Sequence, residues 1–283
     1  MRTIAQPLVA LLLSAAALPA SAGEISYLNQ FRNLSFTQTD NTTLAAQGAF
    51  FSASAVVSAQ ATAAYDSGTM TIGDPVTGTS YALGSTDGGH SFGLQTPTLP
   101  SQAAMDAQFP LASTYTFVLT NGTDSASASM DVGANTYAAA PPMLTGNSFA
   151  ALQGMDSSQP LSLGFSPFDA VPGADSEFIF FSLYDYTTSS WLYPLGFAPR
   201  TTAGLTLAAG LLAPGHDYAF ELNYDVRVNL PGSGADFAPQ IGFDLRTNGL
   251  FSTAVPEPGT WALWLLGVPA LLGLSRRSGL RQR

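Results

Sequence analysis

The 283-residue chain has no cysteine, no lysine and only two histidines. Without cysteine there is no disulfide framework and no thiol chemistry, so each folded unit must be held by its own apolar core. Without lysine, and without a glycine-rich phosphate loop, nucleotide chemistry has no foothold. His90 lies in the glycine-rich "STDGGHSF" and His216 in "APGHDY", far apart in sequence, and solvated loops account for both. No D-x-[DN]-x-[DN]-G run supplies the converging oxygens of a calcium loop. No catalytic residue, metal ligand or cofactor is therefore expected.

Positive charge is scarce as well. Between Gly23 and Ala254 stand eighteen acidic residues against four basic ones (Arg32, Arg200, Arg227 and Arg246), a balance of −14. Such a surface repels nucleic acid, which is excluded as a partner. Most of the acids are aspartates at turns, where the side chain bonds its own backbone. Glu177 and Asp185 share one strand at even spacing and so one face, which is the only hint of the paired carboxylates of a hydrolase. An ordinary solvated edge explains that pair better.

What the body does contain is β texture. Runs such as "AFFSASAVV" (49–57), "TMTIG" (69–73), "TYTFVLT" (114–120), "SASASMDV" (125–132), "LSLGF" (161–165), "EFIFFSLYDY" (177–186), "GLTLA" (204–208), "YAFELNYDVRV" (218–228) and "PQIGFDLRT" (239–247) are bounded by Gly, Pro, Asn, Asp and Ser. In "YAFELNYDV" Tyr218, Phe220, Leu222 and Tyr224 alternate with Glu221, Asn223 and Asp225, the period of a half-buried strand. Helical turns are expected only in 100–109 and 148–156. The fold class is all-β, with one or two β-sandwich domains. Pro141-Pro142 in "AAAPPM" divides a β-rich domain at 23–137 from a second at 138–254.

In the second domain, Leu212-Ala213-Pro214-Gly215-His216-Asp217-Tyr218 has the spacing L-x-P-G-x-x-Y. Pro and Gly turn the chain between sheets, and the tyrosine hydroxyl can reach back to the corner backbone while its ring enters the core. This resembles the tyrosine corner of fibronectin type III and immunoglobulin-like sandwiches. The resemblance implies that Phe165 is a core aromatic of the second strand. Nearby, Tyr184, Tyr186, Trp191 and Tyr193 flank a four-residue polar loop. Aromatic planes beside such a loop suit stacking on sugar rings; alternatively, Trp191 and one tyrosine face fill the core.

The two ends are targeting segments. Arg2, the apolar run Leu8–Leu18 and the small residues Ala20 and Ala22 before Gly23 read as a signal peptide over 1–22. At the other end, Val255-Pro256-Glu257-Pro258 cannot enter a helix or sheet and is open to recognition. Trp261–Leu274, which includes Trp264, Leu265, Leu266, Leu271 and Leu272, spans about 21 Å as a helix, short of the roughly 30 Å hydrocarbon core. Arg276 and Arg277, followed by Arg281 and Arg283, oppose export of the terminus. This order resembles the PEP-CTERM sorting signal of Gram-negative bacteria over 255–283. The resemblance implies export, transient anchoring in the inner membrane by a short transmembrane helix, and processing by an exosortase. The expectation is a non-enzymatic protein of the cell surface or extracellular matrix, structural or adhesive in a biofilm or exopolysaccharide setting. The alternative is a carbohydrate-binding module acting on extracellular polysaccharide.

Overall fold

The computed structural model describes residues 24–59, 64–122, 124–134 and 136–255. The signal-peptide residues Ala20 and Ala22, and the tail from Pro256 through Glu257, Pro258, the apolar run beginning at Trp261, and Arg276 and Arg277, lie outside the described residues. Among the described residues no helix is long and apolar enough to cross a membrane.

The protein is all-β. The elements run β1 (Ile25–Gln38), β2 (Leu44–Val57), β3 (Ser67–Ile72), β4 (Thr79–Ser85), β5 (Ser91–Gln95), α1 (Gln102–Gln108), β6 (Ser113–Asn121) and β7 (Asp124–Val132). They continue with β8 (Leu144–Thr145), α2 (Ser148–Leu152), β9 (Leu161–Phe165), β10 (Ser176–Asp185), β11 (Ser190–Pro199), β12 (Gly204–Leu207), β13 (Asp217–Asn229), β14 (Gly232–Ser233) and β15 (Gln240–Ser252). Twelve strands form one sheet in the order β11-β10-β13-β15-β1-β2-β5-β4-β3-β6-β7-β14, and β12-β9-β8 form a second. The small sheet packs on the inner face of the large one, where Phe165 of β9 stacks on Phe181 of β10 at 5.8 Å.

The first strand sits in the middle of the large sheet. β1 pairs antiparallel with β2 and parallel with β15, the latter from Asn29 opposite Gln240 to Thr37 opposite Asn248. The sheet thus runs across the expected join at 138–143, and one hydrophobic cluster includes Phe51 and Tyr115 together with Phe181 and Phe243.

β1 was not expected as a strand, because its inward positions include polar side chains. Gln30 and Arg32 are fully buried and Asn33 nearly so. Arg32 explains its own burial. Its Nη1 donates to the Phe109 carbonyl at 2.8 Å, and its Nη2 donates to the Asp106 carboxylate. Both acceptors belong to α1 or its C-terminal cap. That helix starts on Ser101, whose hydroxyl accepts from the Ala104 N–H at 3.2 Å. Phe109 then stacks on Phe51 of β2 at 4.0 Å. An arginine in the central strand therefore holds a helix over the sheet.

Removing one member of a buried ion pair strands the other without compensation, at a cost of about 3–5 kcal/mol. Asp106 is one-third exposed, so Asp106→Ala should cost near the lower end, about 3 kcal/mol, by urea unfolding. A loss below about 0.5 kcal/mol would show that the pair does not hold α1.

Candidate functional site

The site grows from the β10–β11 hairpin. At its turn, Asp185 Oδ1 accepts from the N–H groups of Thr187 (2.8 Å) and Thr188 (3.2 Å), and Ser189 takes the left-handed conformation at φ 54°. Asp185 Oδ2 meets His216 Nδ1 at 2.9 Å. Burial alone would raise the Asp185 carboxyl, but hydrogen bonds from His216, Thr188 and Thr187 outweigh it and hold it down at about 2. The turn is therefore locked by an ionised carboxylate, and the hairpin projects its side chains in fixed register.

Strand alternation decides which of them face out. On β13, Tyr218, Phe220, Leu222 and Tyr224 are buried against the core, leaving Ala219, Glu221, Asn223, Asp225 and Arg227 on the opposite, outer face. Pairing carries this across the sheet. Trp191, Tyr184, Ala219 and Leu250 form one cross-strand row, and Ser182, Glu221, Asn248 and Thr37 the next.

All four aromatic residues singled out in the sequence converge at the end of this face. Tyr184 lies 5.0 Å from both Tyr186 and Trp191, and Trp191 stacks on Tyr193 at 6.2 Å. Trp191 is 43% exposed and Tyr193 60%. The core-filling alternative for Trp191 is thus overturned: the core beneath is already filled by Phe181, Phe220 and Phe165. Because Ala219 is small, the face dips between Tyr184 and Leu250 into a hollow of about 450 Å³. Tyr184, Tyr186 and Trp191 wall one side, and Thr37, Glu221 and Asn248 contribute polar groups. These polar residues carry no local sequence signal, since strands distant in the chain bring them together.

Further along the outer face, Asp225 stands directly opposite Asp244. Arg227 donates to Asp225 Oδ2 from Nε (2.9 Å) and Nη2 (2.7 Å), and its guanidinium lies over Phe31, Phe178 and Phe197 at 5.3–5.7 Å. Burial, and then the neighbouring Asp225 charge, push the Asp244 carboxyl well above the usual carboxylate range. Asp225 and Asp244 are 5% and 9% exposed, so the pair is sealed from substrate.

Other chemistry is not assembled. Glu177 and Asp185 are eight residues apart on β10, about 26 Å at strand rise, which is too far for a glycosidase pair. Glu177 instead pairs with Arg200 at 3.0 Å. Gly89-His90-Ser91-Phe92-Gly93 has the G-x-S-x-G spacing, but Ser91 opens β5 within antiparallel pairing and no helix follows the turn, so there is no nucleophile elbow. Among the described residues no cluster of three His, Asp or Glu could hold a metal ion.

The corner and the chain exit meet at one end. The Tyr218 hydroxyl accepts from the Ala213 N–H at 2.9 Å, closing the tyrosine corner, and Gly215 takes φ 72°. Beyond β15, Ala254 donates to the Met155 carbonyl (2.9 Å) and accepts from the Gly215 N–H (3.1 Å). Val255, the described member of the expected motif, is 71% exposed. The fold thus holds the backbone firmly up to the residue where the motif begins.

A family model, the PEP-CTERM protein-sorting motif, matches residues 254–282. No curated protein matches the chain. Among solved structures it is similar to a two-domain fibronectin type III segment of chicken tenascin, at 12% identity and TM-score 0.24, over 78% of this chain and 97% of that one. It is also similar to the FN1–FN3 domains of chicken CNTN1, at 10% identity and TM-score 0.24, over 82% of this chain and 68% of that one. A third is the BSP domain of a biofilm-associated protein, at 10% identity and TM-score 0.21, over 82% of this chain and 30% of that one.

The raised Asp244 carboxyl has a pH signature. In the unfolded chain it loses its proton near the ordinary value of 3.8, while in the fold burial and the Asp225 charge hold the proton to higher pH. Stability from this group is full below the unfolded value and falls as pH rises towards the folded one. Asp244→Asn cannot ionise, so thermal unfolding should show it stabilised relative to the wild type at pH 8, with no gain at pH 3.5. An equal or greater gain at pH 3.5 would contradict the assignment.

Proposed function

We propose that this is an exported, non-enzymatic protein of the cell surface or extracellular matrix, adhesive in role, whose exposed aromatic face binds polysaccharide. The C-terminal motif implies export and membrane-associated sorting by an exosortase. On this reading the cell is Gram-negative, and the chain is held in the inner membrane by the run from Trp261, with Arg276 and Arg277 on the cytoplasmic side. Processing near Pro256–Pro258 then releases the body, after signal-peptide cleavage behind Ala22.

The observation that carries the polysaccharide partner is the exposure of Trp191 and Tyr193 beside a hollow with polar groups. A buried tryptophan would serve packing, whereas an exposed one with stacked neighbours presents a flat apolar plane suited to the C–H face of a sugar ring. Polar groups at its margin can accept and donate hydrogen bonds to ring hydroxyls.

Trp191→Ala should weaken polysaccharide binding at least about tenfold, equivalent to about 1.4 kcal/mol, while the melting temperature changes little. Affinity electrophoresis in polysaccharide gels checks the first and thermal unfolding the second. Unchanged retardation of a folded variant would remove the aromatic face from the proposal.

A further inference from the structure

We infer that the hollow selects hexose polymers that carry no carboxylate, with Thr37, Glu221 and Asn248 reading the ring hydroxyls, and rejects uronate polymers. This rests on the carbohydrate reading of the aromatic face.

The polar row has the right form for hydroxyl recognition. Glu221 on β13 pairs with Asn248 on β15, which pairs with Thr37 on β1. Adjacent strands lie about 4.8 Å apart, so three polar tips cover about 10 Å, comparable with the extent of one to two sugar rings. Among the described residues the Asn248 amide and the Thr37 hydroxyl have no hydrogen-bond partner. Glu221 uses Oε1 for the Asn223 amide (3.0 Å) and Arg246 (3.4 Å), which leaves Oε2 for a ligand. An amide, a hydroxyl and a carboxylate oxygen together supply both donors and acceptors. The aromatic row one step away, with Tyr184 and Trp191, provides the stacking plane.

Selectivity follows from where the cations are. Every described arginine is already paired with an acid: Arg32 with Asp106, Arg200 with Glu177, Arg227 with Asp225, and Arg246 with Glu221. Arg246 also lies over the Phe50 ring at 5.3 Å. With no lysine in the chain and no arginine among the residues that line the hollow, no cation stands there to meet a sugar carboxylate. The carboxylate in the hollow itself, Glu221, would repel one. A uronate ring must therefore lose hydration without gaining a counter-charge, which like-charge juxtaposition makes worse. A neutral ring meets no such cost.

The test uses the purified full chain on an array of neutral gluco- and galacto-oligosaccharides and oligogalacturonates of equal length, with calorimetry on the best binder of each class. The neutral series should bind at least tenfold more tightly than the galacturonates at low salt, and the gap should narrow at high salt. Glu221→Gln should raise galacturonate binding several-fold, and Asn248→Ala and Thr37→Val should each weaken neutral binding several-fold, all with unchanged circular dichroism. Galacturonate binding equal to or tighter than neutral binding in the wild type overturns the inference while leaving the carbohydrate reading intact. So does neutral selectivity that survives all three substitutions unchanged. Binding of neither class overturns both.

Discussion

The parallel pairing of β1 with β15 is the contact on which the rest of the structure depends. It joins strands about 200 residues apart in the chain and places the first strand of the body between β2 and β15 at the centre of the large sheet. Closing so long a loop costs only slowly more entropy than closing a short one, so the pairing is affordable where burial is extensive. Its consequences spread in both directions. Through Arg32 it fixes α1 over the first half of the sheet. Through β15 it sets Asn248 and Leu250 in the hollow and holds the backbone at Ala254, where the sorting motif begins.

The strands with clean alternation were legible without the structure. β6, the first half of β13 and the second half of β15 show period-two burial, and the sequence pattern places β9 at Leu161–Phe165 residue for residue. The tyrosine corner was equally legible, because its chemistry is local: Pro214 and Gly215 make the turn and Tyr218 closes it. β1 was hidden because its buried positions include Gln30, Arg32 and Asn33, which only partners from other strands and α1 make tolerable. β11 was hidden for the opposite reason. As an edge strand it is mostly exposed, carries Pro194 and Gly196, and departs from regular register against β10, features that blunt an edge against unwanted pairing.

The candidate site divides in the same way. Its aromatic half lies within ten residues of one hairpin and could be read as a cluster, although whether Trp191 faced out could not be decided until the neighbouring phenylalanines were seen to fill the core. Its polar half, Thr37, Glu221 and Asn248, comes from three strands spread along the whole body. Only register joins them. The scarcity of cations noted at the outset takes on its meaning here, because each of the four described arginines faces an acid and none lines the hollow.

The proposed delivery and the proposed binding surface are two ends of one strand system, and delivery is the part on which everything else rests. The measurement that tests it most directly is the intact mass of the protein recovered from its native host, beside a strain lacking the suspected exosortase. The account predicts a chain that starts at Gly23 and ends within a few residues of Pro258 in the wild type, and that retains its tail in the deletion strain. A chain ending at Arg283 in both strains would contradict it and make the tail a permanent anchor.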